Sequence, residues 1–245
     1  MAKEVSDWIT VNGRHIPIYE GESKEDAYNR SMVNDAEDKK QREIAKNKEQ
    51  ADKLNLKEYA KEHHDIFITD KLTDSFSPEE VKGMIDKVSE VYDEFGISNK
   101  MVYTLDADQK NLESVLATGA AHPSGILSVN PKSKVLRDED FQNIYHEMGH
   151  FLDYQVLHKS MPHSNPSTTP NFANRVTYEA TRNLAKNYPN EKPYISNYGM
   201  TNNKELMAEA VRDYMVNRDK SKPYSQEIVR VIKKYIRSNG IGNPR

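Results

Sequence analysis

Residues Asn143 to Asp153 read NIYHEMGHFLD, and this stretch carries two histidines four positions apart with a glutamate directly after the first. Positions i and i+4 lie on one face of an α-helix, so the imidazoles of His146 and His150 can meet at one metal ion. Glu147 lies about 100° further round the helix, beside such an ion, where a carboxylate can accept a proton from an attacking water. Gly149 carries no side chain and allows a strand or a substrate to approach closely. The same pattern also fits a helix whose histidines only cap or pack, so the other site residues must be found elsewhere.

Composition limits which groups can complete a metal site. The 245 residues carry a formal net charge of −3 and no cysteine. The lack of cysteine excludes disulfides, thiolate zinc ligands and thiol nucleophiles, so a metal would be bound by His, Asp or Glu. Nucleic acid is not an expected partner, because phosphate-binding surfaces usually have a basic excess. With neither a signal-peptide core nor a membrane-length apolar run, we expect a cytoplasmic protein without a membrane partner.

The first 65 residues differ in composition from the rest and form the first of two predicted domains, 1–65 and 66–245. Two short β-prone runs flank Asn12-Gly13, which predicts a hairpin. Residues 24–64 are mostly charged helix formers with sparse apolar positions. This pattern is typical of a solvated connecting helix, and it also fits an assembly surface.

The second predicted domain has the pattern of a mainly helical α+β fold with a small sheet. Ser77-Pro78-Glu79-Glu80 predicts a helix start, and Asp138 is the expected cap of the helix that carries His146. The predicted strands are Lys100 to Leu105 and Gly125 to Pro131, with a polar helical stretch between them. Beyond a loop from Ser160 to Phe172, further helices are predicted at Val176 to Asn187, Asn203 to Asn217 and Ser225 to Ser238.

A catalytic zinc site needs a third protein ligand and an open position for water. The metzincin spacing is not present, since its third histidine position is Val156. His158 and His163 lie in or near the predicted loop, and Glu179 is a further candidate. Asp153 lies one turn beyond His150, where it is better placed to orient a neighbouring group than to bind the ion.

The stronger candidates lie downstream, in YGMTNNKELMAEAVRDYM from Tyr198 to Met215. Glu205 and Glu209 are four positions apart on a largely apolar helix. Burying two carboxylates there is costly without a partner, and a dication flanked by histidines is a suitable one. The alternative is a solvated glutamate pair that faces water.

HEMGHFLD followed by YGMTNNKELMAEAV resembles the zinc-metallopeptidase domain shared by anthrax lethal factor and the Pro-Pro endopeptidases, over roughly Met101 to Met215. The resemblance implies a zincin-like fold and a Zn²⁺ cofactor. The residue roles that it implies are zinc ligation by His146, His150 and Glu205, general base catalysis by Glu147, oxyanion stabilisation by Tyr198, and a hydrogen bond between Glu209 and a ligand histidine that fixes the tautomer of that ring. The chain departs from the family in Leu206-Met207, where aromatic residues are frequent, and in its long connection from His150 to Glu205.

WITVNGRHIPIYEGES, residues 8–23, is similar to segments of tailed-phage head-associated proteins. This similarity implies phage structural proteins as partners and a location in the virion or the host cytoplasm. The sequence thus predicts a zinc endopeptidase that acts on a protein or peptide, with the substrate paired to an edge strand at Gly125 to Val129. The alternatives are an assembly protein whose peptidase-like domain is inert or self-processing, and a host-directed toxin.

Overall fold

The computed structural model describes residues 4–11, 13–97, 101–157 and 172–238. The chain divides into two compact units, Met1–Asn55 and Leu56–Arg245.

The first unit contains the predicted hairpin. Strand β1 (Val5–Val11) pairs antiparallel with β2 (Arg14–Tyr19), and Gly13 has the positive φ of 78° that such a tight turn requires. Helix α1 (Lys24–His64) starts in this unit and ends in the second, which confirms the helical prediction for residues 24–64. Arg30 of α1 donates to the carbonyl of Pro17 at 2.6 Å and to Glu22 at 2.8 Å, so the hairpin is bonded to the helix.

The second unit contains a four-stranded sheet in the order β3-β4-β6-β5. Its strands are β3 (Phe67–Ile68), β4 (Thr104–Ala107), β5 (Gly119–His122) and β6 (Ile126–Val129). Strands β3, β4 and β6 run parallel to one another, and β5 pairs antiparallel with β6 at one edge.

Three sequence predictions about this sheet are wrong. The predicted edge strand, Gly125 to Val129, is internal, because β5 lies on its outer side. The sequence Gly-Ala-Ala-His of β5 has no β-branched residue, and the prediction took this region for helix. Strand β4 starts later than predicted because the N–H groups of Met101 and Val102 donate to the Tyr92 hydroxyl, at 3.1 and 2.8 Å.

The remaining elements of the second unit are helical. They are α2 (Asp70–Ser75), α3 (Pro78–Phe95), α4 (Gln109–Ser114), α5 (Lys134–Asp138), α6 (Asn143–Phe151), a π-helical segment (Leu152–Leu157), α7 (Phe172–Asn187), α8 (Asn203–Asn217), α9 (Pro223–Ser238), and 3-10 turns at Gly199–Thr201 and Arg218–Lys220. The predicted capping box of α3 is present.

Asp138 does not cap the helix of the histidine motif as predicted. It is the last residue of α5, and the chain then passes through Asp140 and Phe141, whose φ angles of 47° and 56° are left-handed. These two residues interrupt the right-handed helix, so α6 starts afresh at Asn143.

One apolar cluster of the second unit joins the sheet to the helices. Its largest fully buried members include Phe151, Met84, Leu105, Leu127, Ile144 and Met148. Three of these belong to α6, which is therefore held from several sides. The predicted class, mainly helical α+β with a small sheet, is confirmed. In the described part of the chain, no helix combines the length and apolarity that a membrane crossing requires.

Candidate metal centre

Gly149 allows α6 and α8 to pack with their backbones close together. A Cβ atom at this position would lie 2.6 Å from the Cα of Ala208. The close neighbour is thus a helix, where the sequence predicted a strand or a substrate. This packing turns His146 and His150 of α6 toward Glu205 and Glu209 of α8.

The predicted ligands meet at one point. One ligand atom from each of His146, His150 and Glu205 lies within 4.8 Å of the others. Glu205 Oε2 is 3.1 Å from His146 Nε2 and 3.4 Å from His150 Nε2, and the two nitrogens are 3.2 Å apart. Two imidazoles and a carboxylate are a known donor set for catalytic zinc, which leaves the fourth position open. The residues present therefore fit a zinc ion.

Glu147 is buried next to the ligands, where its side chain packs against strand β5. The backbone N–H of Ala121 in β5 lies close enough to this carboxyl group to favour its ionised form. Gly119 of the same strand permits this contact, because a Cβ there would lie only 3.2 Å from Glu147 Cγ. Burial raises the pKa of Glu147, while the two histidines oppose that shift. A cation at the neighbouring ligands would favour the ionised form, which a proton acceptor needs.

Glu209 supports His146 from behind. Its Oε1 accepts from His146 Nδ1 at 2.9 Å, and its Oε2 accepts from the hydroxyl of Ser196 at 2.8 Å. The guanidinium of Arg212 lies 3.6 Å from Oε1. A hydrogen bond to Nδ1 fixes the ring orientation and leaves Nε2 directed at the ligand point.

The charges of this cluster stabilise one another. Burial opposes a charge on His146, but its hydrogen bonds to Glu205 and Glu209 outweigh burial and raise its pKa to about 9. Hydrogen bonds from His146 and His150 lower the pKa of Glu205. Burial alone would raise the pKa of Glu209, yet its hydrogen bonds to His146 and Ser196 lower it. The site thus stabilises positive charge at His146, and a bound dication would take the place of that proton.

Tyr198 lies at the mouth of the site, just before the 3-10 turn Gly199–Thr201. Its ring centroid is 5.7 Å from that of His146, and its side chain lies close to the Glu205 carboxylate. Partial burial and the charge of Glu205 raise the pKa of Tyr198 to about 12, so the phenol keeps its proton at neutral pH. It can therefore act as a hydrogen-bond donor.

The other candidates lie elsewhere. Glu179 of α7 bonds Lys234 at 2.6 Å and the hydroxyl of Tyr235 at 3.1 Å, away from the histidine pair. Asp153 is buried and accepts from the backbone N–H of Ala173 in the first turn of α7, at 3.1 Å, and its predicted supporting role at the site stays a prediction. His158 and His163 lie outside the described residues.

Two neighbours of the site, Tyr154 and Ser196, were not predicted from the sequence. The ring of Tyr154 stacks on His150, with centroids 6.1 Å apart and planes at 15°, and the ammonium of Lys204 lies 5.6 Å from the Tyr154 centroid. The position of Tyr154 four residues after His150 was a helical signal that could have revealed this contact. Ser196 lies in a loop without periodicity, so no comparable signal predicted its contact with the site.

A search of protein-family models gives no match to this chain, and a search of curated proteins gives none either.

Proposed function

We propose that the chain is a zinc-dependent endopeptidase. The observation that carries the proposal is the convergence of His146, His150 and Glu205 within 4.8 Å, with Glu147 buried beside them. The notable feature is the donor set, since two histidines and one glutamate leave room for water and substrate. The resemblance of the two sequence blocks to the lethal factor and Pro-Pro endopeptidase domain points to the same reaction.

In the proposed reaction, His146, His150 and Glu205 would hold Zn²⁺, which would supply Lewis acidity at the site. Glu147 accepts a proton from that water and delivers it to the leaving amine. Tyr198 donates a hydrogen bond from its phenol to the oxyanion of the tetrahedral intermediate. Glu209 keeps His146 in the ring orientation that presents Nε2.

A protein or peptide substrate would bind in extended form along β5, which is one of the two edge strands of the sheet. An edge strand offers unpaired backbone groups to an incoming peptide. Glu147 packs against this strand at Gly119, so a peptide there would lie beside the proton acceptor.

Metal analysis combined with N-terminomics tests the proposal. Wild type and Glu147→Gln should each carry about one zinc, the stoichiometry of a single three-ligand site. New N-termini should appear in a proteome treated with wild type and not in one treated with Glu147→Gln. Glu179→Gln is the matched control, since it removes a glutamate of α7 remote from the ligands, and it should retain both zinc and cleavage. Wild type that binds no zinc after reconstitution would refute the site itself.

The N-terminal unit favours a second candidate function, attachment to a phage structural protein. Several of its apolar side chains are exposed by about half, namely Val5, Trp8, Tyr28, Met32 and Val33. A pull-down from particle lysates should recover a partner with the full chain and with Glu147→Gln, and should lose it when residues 1–55 are deleted. Retention of the partner by the deleted chain would contradict this role.

A further inference from the structure

Ser196 bonds two parts of the candidate site at once. Its hydroxyl donates to Glu209 Oε2 at 2.8 Å and accepts from the backbone N–H of Gly199 at 2.9 Å. Its own carbonyl accepts from the N–H of Met200 at 3.2 Å. The turn that bears Tyr198 is therefore closed by the same residue that bonds the carboxylate behind His146.

The direction of each hydrogen bond in this chain is fixed by chemistry. An amide N–H can only donate, so the Ser196 oxygen accepts from Gly199 and its single hydrogen goes to the carboxylate. Glu209 in turn accepts from His146 Nδ1 at 2.9 Å. Two hydrogen-bond donors therefore meet at the Glu209 carboxylate. One is the Ser196 hydroxyl, which itself accepts from the Gly199 N–H, and the other is His146 Nδ1.

Glu209 depends on these donors because its side chain is only 11% exposed. A buried carboxylate oxygen that loses a donor keeps its desolvation cost without the compensating bond. The turn also packs directly on this residue, since a Cβ at Gly199 would lie 3.2 Å from Ser196 Oγ and 3.3 Å from Glu209 Cβ. A shift of Glu209 would therefore move both the His146 ring and the Tyr198 turn.

We propose that Ser196 is a positioning residue that couples the orientation of His146 to that of Tyr198 through Glu209. The part that concerns Tyr198 rests on the proposed endopeptidase function. The part that concerns His146 needs only metal binding, so the two can be tested separately.

Removal of the hydroxyl in Ser196→Ala should weaken zinc binding by about 10-fold, the lower end of the effect of outer-shell substitutions on metal sites. It should also lower kcat with little change in KM, because Tyr198 acts on the oxyanion and not on the bound substrate. Ser196→Thr keeps a hydroxyl and should restore both values. Thr201→Ala is the matched control, since it also removes a hydroxyl from this turn. The Thr201 hydroxyl donates to the Tyr198 carbonyl and does not bond Glu209. Its zinc affinity should equal that of wild type.

Double-variant cycles separate coupling from a merely structural role. In a Glu209→Gln background, Ser196→Ala should cause no further loss of zinc affinity, and in a Tyr198→Phe background it should cost less in kcat than in wild type. Chelator competition measures the first cycle and peptide turnover the second. If Ser196→Ala unfolds, Gly199→Ala replaces it, because its new Cβ presses on both Ser196 and Glu209.

Additive losses in both cycles would overturn the proposal, as would a zinc affinity of Ser196→Ala equal to that of Thr201→Ala. A wild type that binds zinc but cleaves no peptide would refute the endopeptidase proposal alone. The zinc cycle would still decide the link between Ser196 and Glu209.

Discussion

At the scale of single residues, Gly149 sets the distance between the two helices of the metal site. Gly149→Ala would place a methyl group 2.6 Å from the Cα of Ala208, which is backbone and cannot rotate away. We expect a loss of about 1–3 kcal/mol in the free energy of unfolding from this overpacking. Zinc affinity should fall as well, because α8 would carry Glu205 away from the histidines.

Gly83→Ala provides the control for this substitution. Gly83 lies inside α3, and a Cβ there would have no heavy atom within 4 Å. Alanine should stabilise this helix by about 0.5–1 kcal/mol and leave zinc affinity unchanged. Urea unfolding and chelator competition on both variants measure the contrast, and equal stability of the two would contradict the packing argument.

Tyr198→Phe tests the proposed oxyanion donor. Loss of one such donor typically lowers kcat by about 10²–10³, and the zinc content should stay the same because the phenol is not a ligand. Tyr178→Phe, an exposed tyrosine of α7, is the control and should retain wild-type turnover. Peptide cleavage assays with metal analysis measure both; full activity in Tyr198→Phe would exclude the role.

Helical spacing explains which of these residues the sequence could predict. His146 and His150, and likewise Glu205 and Glu209, are pairs at i and i+4, so each pair faces one way whatever the rest of the fold does. The structure brings both pairs together. Ser196 was not predictable, because its contact with Glu209 depends on how an aperiodic loop returns to α8. The role of Gly149 was only half predicted, since spacing alone does not name the neighbour that comes close.

At the scale of elements, the end of α3 is tied to α8, to the Arg218–Lys220 turn and to α9 through Glu94. Its carboxylate bonds the hydroxyl of Tyr214 at 3.0 Å and Arg218 at 2.7 Å, and it also contacts Lys233. Burial would raise the pKa of Glu94, but the bond from Lys233 and the other cationic partners lower it below 4.5. The folded state therefore binds this proton less readily than the unfolded state does.

This shift predicts how stability depends on pH. Because the folded pKa is the lower one, the stabilising contribution is complete above about pH 4.5 and is lost as the pH falls through the folded value. Glu94→Gln should lower the free energy of unfolding at pH 7 and reduce its decrease toward pH 3. Urea unfolding at both pH values measures this, with Glu58→Gln on the exposed surface of α1 as control. An equally steep acid loss in Glu94→Gln would refute the assignment.

The elements that the sequence predicted well carry local signals. The capping box of α3 and the periodic apolar positions of α8 and α9 depend on neighbours within one or two turns. Strand β5 has no such signal, since its Ala120 and Ala121 pair with Ser128 and Leu127 and become a strand only through β6. The start of α6 was also misplaced, because Phe141 after Asp140 adopts a left-handed φ that a bulky residue rarely takes and that the sequence does not signal.

At the scale of the whole molecule, the buried apolar cluster lies entirely between Leu56 and Ile236. The last part of α1 contributes Leu56 and Ala60 to it, with 7% and 0% exposure, whereas no earlier side chain of α1 that the structure describes belongs to it. A chain that starts at Leu56 therefore keeps every member of the cluster. Packing, more than helix propensity, would hold its short remnant of α1 in place.

We predict that the fragment 56–245 unfolds cooperatively, with a Tm within about 4 °C of the full chain, and binds the same amount of zinc. A fragment 66–245, cut where the composition of the sequence changes, should be less stable because it loses Leu56 and exposes the surface that this side chain covers. Thermal melts followed by circular dichroism, with metal analysis of both fragments, compare the two boundaries. Equal Tm values for the two fragments would show that the last turns of α1 do not stabilise the second unit. A non-cooperative melt of 56–245 would show that the second unit requires the first to fold.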